Sequence, residues 1–250
     1  MKATSAPDAL IWRLRLRQTI AVSRYELRKA AAGRRWIVPW VLAAAPVFIL
    51  AARAVIPGRT GPGPGVLELI FAERVFEGYI LRLGIFFSTV AVFVQLFRRE
   101  VQERTLHTYL LLPIRRELIV SGKYLAGLAV VGMFFVPATG ISCLLLLGWH
   151  PAALASYMAL AAFATASYGA VFLLVGTLAR NPIIPVLLVL AFESSSGALP
   201  SVLQRFSIVD SLTRSEGFWS LASGPGLLTL AALAGAAYWM RRVEVSYATD

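Results

Sequence analysis

Residues 79–148 read YILRLGIFFSTVAVFVQLF (79–97), RREVQERTLHTYLLLPIRRELIVSGK (98–123) and YLAGLAVVGMFFVPATGISCLLLLG (124–148). The two outer runs are apolar, and each has the roughly 20 residues that a helix needs to cross about 30 Å of hydrocarbon. The middle segment is densely charged and cannot enter the hydrocarbon at acceptable cost. The order apolar, charged, apolar therefore predicts two membrane-spanning helices joined by a segment at the membrane surface.

The composition of the whole chain agrees with a membrane protein. Of its 250 residues, 58% are hydrophobic and 15% are charged, whereas soluble domains carry about 25% charged residues. Six stretches are apolar and long enough, or nearly so, to span a bilayer: 36–56, 79–97, 124–148, 156–178, 183–199 and 219–240. We therefore predict an all-α membrane protein with six transmembrane helices.

The predicted organisation is an N-terminal cytoplasmic helix (1–35) followed by a six-helix transmembrane domain (36–250). Residues 8–34 suit an amphipathic helix at the membrane interface, because basic and apolar residues fall on neighbouring helical stripes. The basic stripe contains Arg13, Arg17, Arg24 and Arg28, and the apolar one Leu16, Ile20 and Leu27. Residues 66–78 are expected to extend the second span outward, and 200–218 to form external re-entrant or surface helices.

Positive charge predicts the orientation. Of the 24 Lys and Arg residues, 18 fall before the first span, between the second and third, after the fourth or after the sixth, and 6 fall on the other side. Basic residues favour the cytoplasmic side, so both termini are predicted to be cytoplasmic, with the basic excess facing anionic lipid. We expect a bacterial cytoplasmic (inner) membrane. Nucleic-acid binding is disfavoured, because no zinc spacing or RNA-binding signature accompanies the charge.

The sequence offers no catalytic, metal or cofactor site. Ser121-Gly122-Lys123-Tyr124 has the Gly-Lys pair of a phosphate-binding loop but lacks the earlier Gly and the following Ser or Thr. His107 and His150 are predicted on opposite sides of the bilayer and cannot share a metal ion. The chain is therefore not expected to be an enzyme on its own.

Glu193 is the one acidic residue well inside a predicted span, and Ser194, Ser195 and Ser196 follow it. It lies about ten residues past Ile183, which is roughly 15 Å into the bilayer at 1.5 Å per residue. An intramembrane carboxyl group indicates function by default. The alternative is a hydrogen bond between helices, with serine, backbone or water as partner.

The charged segment resembles the permease subunits of ABC exporters of the ABC-2 type. That family has a Glu-rich stretch, Gly-Thr, leucines, Pro, a short gap, Arg, and Gly-Lys opening the third span. The corresponding residues here are Glu100, Glu103, Thr105, Leu110, Leu111, Leu112, Pro113, Arg116, Gly122 and Lys123. The chain departs from the pattern at Gln102 and Arg104, so the turn before Thr105 can differ. Tyr25-Glu26-Leu27-Arg28 resembles the family's membrane-entry helix.

The resemblance implies a function and partners. A permease of this kind has no ATPase site and couples to a separate ABC ATPase subunit, two copies of each assembling together. ATP and Mg²⁺ bind to the ATPase, and the second permease copy is identical or a paralogue. The pathway lies between the permeases, with the first and fifth spans facing across it, which places Glu193 and its serines near the pathway.

Residues 98–123 are predicted to be the cytoplasmic coupling segment, with a short helix over 100–112. Its apolar members would enter a groove of the ATPase, and its charges, including Arg104 and Arg115, would orient it; the alternative is a solvated loop. The predicted ATPase-coupling residues are Glu100, Glu103, Thr105, Leu106, Tyr109, Leu110, Pro113 and Arg116.

Two other functional classes stay open. A secondary transporter needs a coupling site near the midplane and usually inverted repeats, and a membrane-embedded enzyme needs convergent catalytic groups. Apart from Glu193, the sequence offers no coupling site near the midplane, no inverted repeats and no convergent catalytic groups. It does not distinguish lipid, peptide, polymer and drug as exported substrates.

Overall fold

The computed structural model describes residues 6–33, 36–55, 63–97, 115–179, 181–198, 200–213 and 222–242. Within these ranges every regular element is a helix and no strand occurs. The predicted all-α fold class is therefore confirmed. The division into two parts at residue 35 stays a prediction.

Nine helices follow one another along the described residues: α1 (Ala6–Ala32), α2 (Ile37–Val55), α3 (64–97), α4 (Arg116–Leu147), α5 (Pro151–Leu178), α6 (Ile183–Ser195), α7 (Ser201–Gln204), α8 (Ile208–Thr213) and α9 (222–242). Helix α3 adopts the wider π-helical hydrogen bonding over Phe71–Ile85 and Val90–Val94, and α9 opens with a π-helical turn over Ala222–Gly226. A 3₁₀ turn over Ser196–Ala198 continues α6.

Three of these helices are long and apolar enough to cross a membrane: Gly65–Phe97, Arg116–Leu147 and Pro151–Leu178. Two shorter apolar helices, Ile37–Arg53 and Ile183–Ser195, cover the first and fifth predicted spans. The predicted helical extension of the second span through residues 66–78 is confirmed, because α3 begins at residue 64 rather than 79; that it extends outward stays a prediction. The full number of six spans stays a prediction.

Local sequence explains the turns between the long helices. Helix α4 ends at Gly148, whose positive φ of 78° suits a residue without a side chain, and Pro151 opens α5. This Gly-then-Pro order is typical of a helix end followed by a helix start. Asn181 and Pro182 lie in the turn before α6, where the Asn181 side chain accepts a hydrogen bond from the backbone N–H of Ile183 at 3.3 Å.

The core forms where α3, α4 and α5 meet. The ring of Phe93 on α3 lies against Gly127 of α4 and Gly169 of α5, and a Cβ atom on either glycine would come within 2.6 Å of that ring. Small residues at such points let membrane helices approach closely. A stack of buried aromatic rings, Phe86, Tyr168 and Phe172, continues the contact between α3 and α5. The interface therefore depends on the close fit of buried side chains.

Helix α1 packs against α4, and its buried face differs from the predicted apolar stripe. The buried side chains are Thr19, Val22, Glu26 and Ala30, whereas Leu16 and Ile20 are exposed. These four positions recur at helical spacing and form one stripe. Hydrophobicity alone did not identify this face, because half of its members are polar.

The predicted external helices correspond to α7 and α8, two short helices between α6 and α9. Ile208, Val209 and Leu212 of α8 are buried against the core. In contrast, Val202 and Leu203 of α7 are exposed. The second short helix is thus part of the packed body, whereas the first lies on its surface.

Candidate functional site

A buried ion pair joins α1 to α4. The Lys123 Nζ atom lies 2.8 Å from Glu26 Oε1, and the side chains are 0% and 1% exposed. The same ammonium group donates to the backbone carbonyl of Leu96 at 3.1 Å and lies 5.1 Å from the centre of the Phe97 ring. We call these four residues the junction. It brings together α1, the last residues of α3 and the first turns of α4.

Helix α1 can reach Lys123 because the neighbouring residue is glycine. A Cβ atom on Gly122 would lie 2.7 Å from Val22 Cγ1 and 3.1 Å from the carbonyl oxygen of Thr19. Contacts below 3.0 Å force atoms to move, so a side chain here would push α1 away. The Gly122-Lys123 pair therefore has a structural role: the glycine admits α1, and the lysine binds it.

Neither partner of this ion pair was assigned a site by the sequence analysis. Glu26 was noted only within Tyr25-Glu26-Leu27-Arg28, and Lys123 only within the Gly-Lys pattern. One feature of the sequence pointed to Glu26. It is an acidic residue in a strongly basic helix, where an ion pair with a basic residue is expected. Its partner is 97 residues away in the sequence, so local spacing could not identify it.

The start of α4 also contacts the end of α9. Arg116 Nη1 donates to the backbone carbonyls of Met240 at 3.5 Å and Arg241 at 3.3 Å. Glu117 forms an exposed ion pair with Arg241 at 2.7 Å. Cations favour the carboxyl end of a helix, where backbone carbonyls lack partners. Arg116, predicted as an ATPase-coupling residue, thus has contacts within the chain.

The other predicted ATPase-coupling residues lie outside the described residues: Glu100, Glu103, Thr105, Leu106, Tyr109, Leu110 and Pro113. Their role stays a prediction. What the structure gives is the two helix ends that flank them. Phe97 precedes the segment and Arg115 follows it, and the junction contacts both flanking helices.

Glu193 of α6 is a second buried acid, 4% exposed, and it caps the short helix α8. The Ser207 hydroxyl donates to Glu193 Oε2 at 2.8 Å. The backbone N–H groups of Ile208 and Val209 donate to Oε1 at 2.9 Å and Oε2 at 3.3 Å. The carboxyl group thus satisfies the first N–H groups of α8, which have no partner inside the helix.

The serines next to Glu193 do not contact its carboxyl group through any described hydrogen bond. Ser195 donates to the Ala191 carbonyl, and buried Ser196 donates to the carbonyl of Glu193. Ser194 is exposed. The carboxyl partners come instead from Ser207 and from the backbone of α8. This geometry matches the hydrogen-bond interpretation of Glu193, while its predicted place near the pathway, with Ser194, Ser195 and Ser196, stays a prediction.

A third polar region lies on the outer part of α3. Glu68 and Glu73 are exposed, and Glu77 pairs with Arg82 at 2.9 Å. These acids border a groove of about 1310 Å³ whose opposite walls come from α5 and α9. In the described part of the chain, no group of three or more His, Cys, Asp or Glu residues could hold a metal ion.

The comparison with known families identifies the chain. A family model described as "ABC-2 family transporter protein" matches residues 26–208. The match includes Glu26, Lys123 and Glu193, together with the whole charged segment. No curated protein matches the chain.

Proposed function

Because the chain belongs to the ABC-2 family of transporter proteins, we propose that it is the transmembrane permease subunit of an ATP-driven ABC exporter. In this proposal it couples to a separate ABC ATPase subunit, present in two copies, which binds ATP and Mg²⁺. A second permease copy, identical or a paralogue, completes the translocation pathway. The family match carries the proposal, and it confirms the resemblance found in the sequence.

The helices on either side of residues 98–114 support coupling through the predicted segment 98–123. Its two flanking helices are tied to each other by the Lys123–Leu96 hydrogen bond and to α1 by the Glu26–Lys123 ion pair. Motion applied to the segment would therefore reach three helices. A solvated loop without function would not need such an attachment.

Exposed apolar faces support a second permease copy. On α2, Phe48 and Ile49 are 68% and 65% exposed, and on α6, Ile184 and Leu188 are 61% and 65% exposed. These helices are the first and fifth predicted spans, which face across the pathway in the family. Lipid covers such faces in a single copy, whereas a dimer covers part of them with protein.

The proposed orientation can be tested by cysteine labelling in intact cells, with Cys143 replaced by alanine. Trp149→Cys and Val202→Cys, at exposed positions, are expected to react with a membrane-impermeant maleimide from outside. Asn181→Cys and Gln102→Cys are expected to react only after the membrane is opened, because the basic excess places them in the cytoplasm. Outside labelling of Gln102→Cys would overturn the orientation and the docking proposal with it.

The docking proposal is tested with Glu103→Ala and Tyr109→Asp. Each is expected to reduce copurification of the ATPase subunit from native membranes, because a lost charge or a charge placed in an apolar contact weakens a docked helix. The wild-type chain should retain an ATPase subunit with a phosphate-binding loop in near-equal amount. The measurement is the ratio of the two subunits after purification.

The matched control for this experiment is Glu77→Ala. It removes a carboxylate of α3, outside residues 98–123, that is already paired with Arg82, so ATPase copurification should stay at the wild-type level. Arg116→Ala is less informative because Arg116 bonds to α9. Wild-type copurification in both docking variants would refute the docking role. A wild-type chain that retains no ATPase would refute the exporter.

A further inference from the structure

Three separate parts of the chain converge on one ammonium group. Lys123 of α4 binds Glu26 of α1 and the carbonyl of Leu96, and its charge lies near the face of the Phe97 ring. An ammonium group has three donor hydrogens, so one lysine can hold two other elements at once. Leu96 and Phe97 of α3 directly precede the predicted coupling segment.

The geometry suits a fixed attachment. The buried ammonium group of Lys123 donates to the Leu96 carbonyl at 3.1 Å, and a charged donor makes a stronger hydrogen bond than a neutral one. The ion pair is fully buried, and charges attract more strongly away from water. Separation of α1 from α4 would break this buried ion pair, so the pair and the Leu96 hydrogen bond hold the three elements together.

We propose that the Glu26–Lys123 ion pair is a positioning joint that makes α1, the end of α3 and the start of α4 move as one unit during ATP-driven transport. The inference rests on the proposed function. It assigns a role in coupling to Glu26, a residue outside the segment in which the coupling residues were predicted. Glu26 acts through α4 by fixing where the flanking helix ends lie.

Helix α1 packs directly against the start of α4, so a disulfide between the two helices can take the place of the Glu26–Lys123 ion pair. A Cβ atom on Gly122 would lie 2.8 Å from the Cβ atom of Val22. A disulfide needs Cβ atoms about 3.8 Å apart, so the Val22→Cys/Gly122→Cys bridge forms once α1 moves about 1 Å from α4. The reduced cysteine pair carries the same two substitutions, so each oxidised chain is compared with its own reduced form. Val22 lies one helical turn before Glu26, which places the bridge beside the ion pair.

The test compares four chains purified with their ATPase and reconstituted, all with Cys143→Ala: the otherwise wild-type chain, Glu26→Gln, the cysteine pair, and the cysteine pair combined with Glu26→Gln. The measurement is permease-dependent ATP hydrolysis per folded complex, isolated by size-exclusion chromatography. We expect Glu26→Gln to lower this rate at least about tenfold, as small displacements of functional groups do. Oxidation of the combined variant should restore most of the rate of the cysteine pair with intact Glu26, and reduction should remove it again.

Counting hydrolysis per folded complex separates positioning from stability, because a purely structural ion pair would change the yield of folded complex but not its specific rate. Glu77→Gln is the matched control, since Glu77 pairs with a partly exposed arginine of α3 at 2.9 Å and lies outside residues 98–123, and its rate should equal the wild-type rate.

Three outcomes would overturn the inference: an unchanged rate per complex in Glu26→Gln, no recovery on oxidation, or a loss of hydrolysis when the cysteine pair is oxidised beside an intact Glu26. If Glu26→Gln yields no folded complex, the cysteine pair with intact Glu26 provides the test by itself. If α1 and α4 move together, oxidation of that chain must leave hydrolysis unchanged. A wild-type chain that binds no ATPase contradicts the proposed function itself and is recognised before any variant is compared.

Discussion

Replacing Lys123 with methionine is expected to lower the free energy of unfolding by about 3–5 kcal/mol, the range for removing one partner of a buried ion pair. The substitution leaves the Glu26 carboxylate buried without its cation and takes the donor from the Leu96 carbonyl. Methionine retains most of the side-chain volume, so the loss reports the charge rather than a cavity. Unfolding of the purified chain in detergent, followed by circular dichroism, measures the change.

A double variant makes this prediction sharper. Glu26→Leu combined with Lys123→Met removes both charges, and apolar replacements of a buried pair are often neutral or stabilising. The double variant should therefore be more stable than Lys123→Met alone, a non-additivity that a thermodynamic cycle detects. Glu117→Gln, which breaks an exposed pair, should shift the unfolding midpoint little. Wild-type stability of Lys123→Met, or additive losses in the double variant, would contradict the assignment.

Replacing Glu193 with leucine is expected to cost about 3 kcal/mol or more, since each buried donor left without an acceptor costs about 1–3 kcal/mol. The carboxyl group accepts from Ser207, Ile208 and Val209, and leucine accepts from none of them. Helix α8 would lose its cap, and its buried apolar residues would pack less well. Detergent unfolding and amide hydrogen exchange over residues 208–213 measure the effect.

Glutamine at position 193 separates the two interpretations of this residue. Its carbonyl oxygen can still accept from the α8 backbone, and Ser207 can turn its hydroxyl to accept from the amide, so the stability loss should be smaller than with leucine. If Glu193 acts only as a cap, Glu193→Gln should leave permease-dependent ATP hydrolysis near the wild-type rate. Ser156→Ala, at an exposed position of α5, is the control. Equal stability of the leucine variant and the wild type would sink the capping role.

Much of the fold follows from short-range features of the sequence. Apolar runs of sufficient length predicted helices at 36–56, 124–148, 156–178 and 183–199, and α2, α4, α5 and α6 lie there. Their ends follow from residues with fixed local preferences, such as Gly148, Pro151 and Asn181. The order of Glu, Thr, leucines, Pro and Arg in residues 100–116 predicted the family, because this charged segment carries a specific residue order whereas the surrounding spans are generically apolar.

The candidate site was only partly predictable. The depth of Glu193 indicated that it needed a polar partner, but the partners are backbone groups 15 and 16 residues later. Whether those groups face the carboxyl group depends on how α8 folds back onto the core. Similarly, Leu16 and Ile20 were assigned to the apolar face of α1, whereas the face that packs on α4 contains Thr19 and Glu26.

The sequence by itself determined the helices, their approximate ends, the membrane-protein class and the family, because length, hydropathy and local turn chemistry act over a few residues. Only the tertiary structure decided that Glu26 of α1 pairs with Lys123 of α4, that Gly122 admits α1, and that Glu193 caps α8. These contacts join residues distant in the chain, and their energies depend on burial and on distances of about 3 Å. Hydrophobic pattern fixes which segments enter the bilayer, but close packing and the need to satisfy buried polar groups fix how those segments meet.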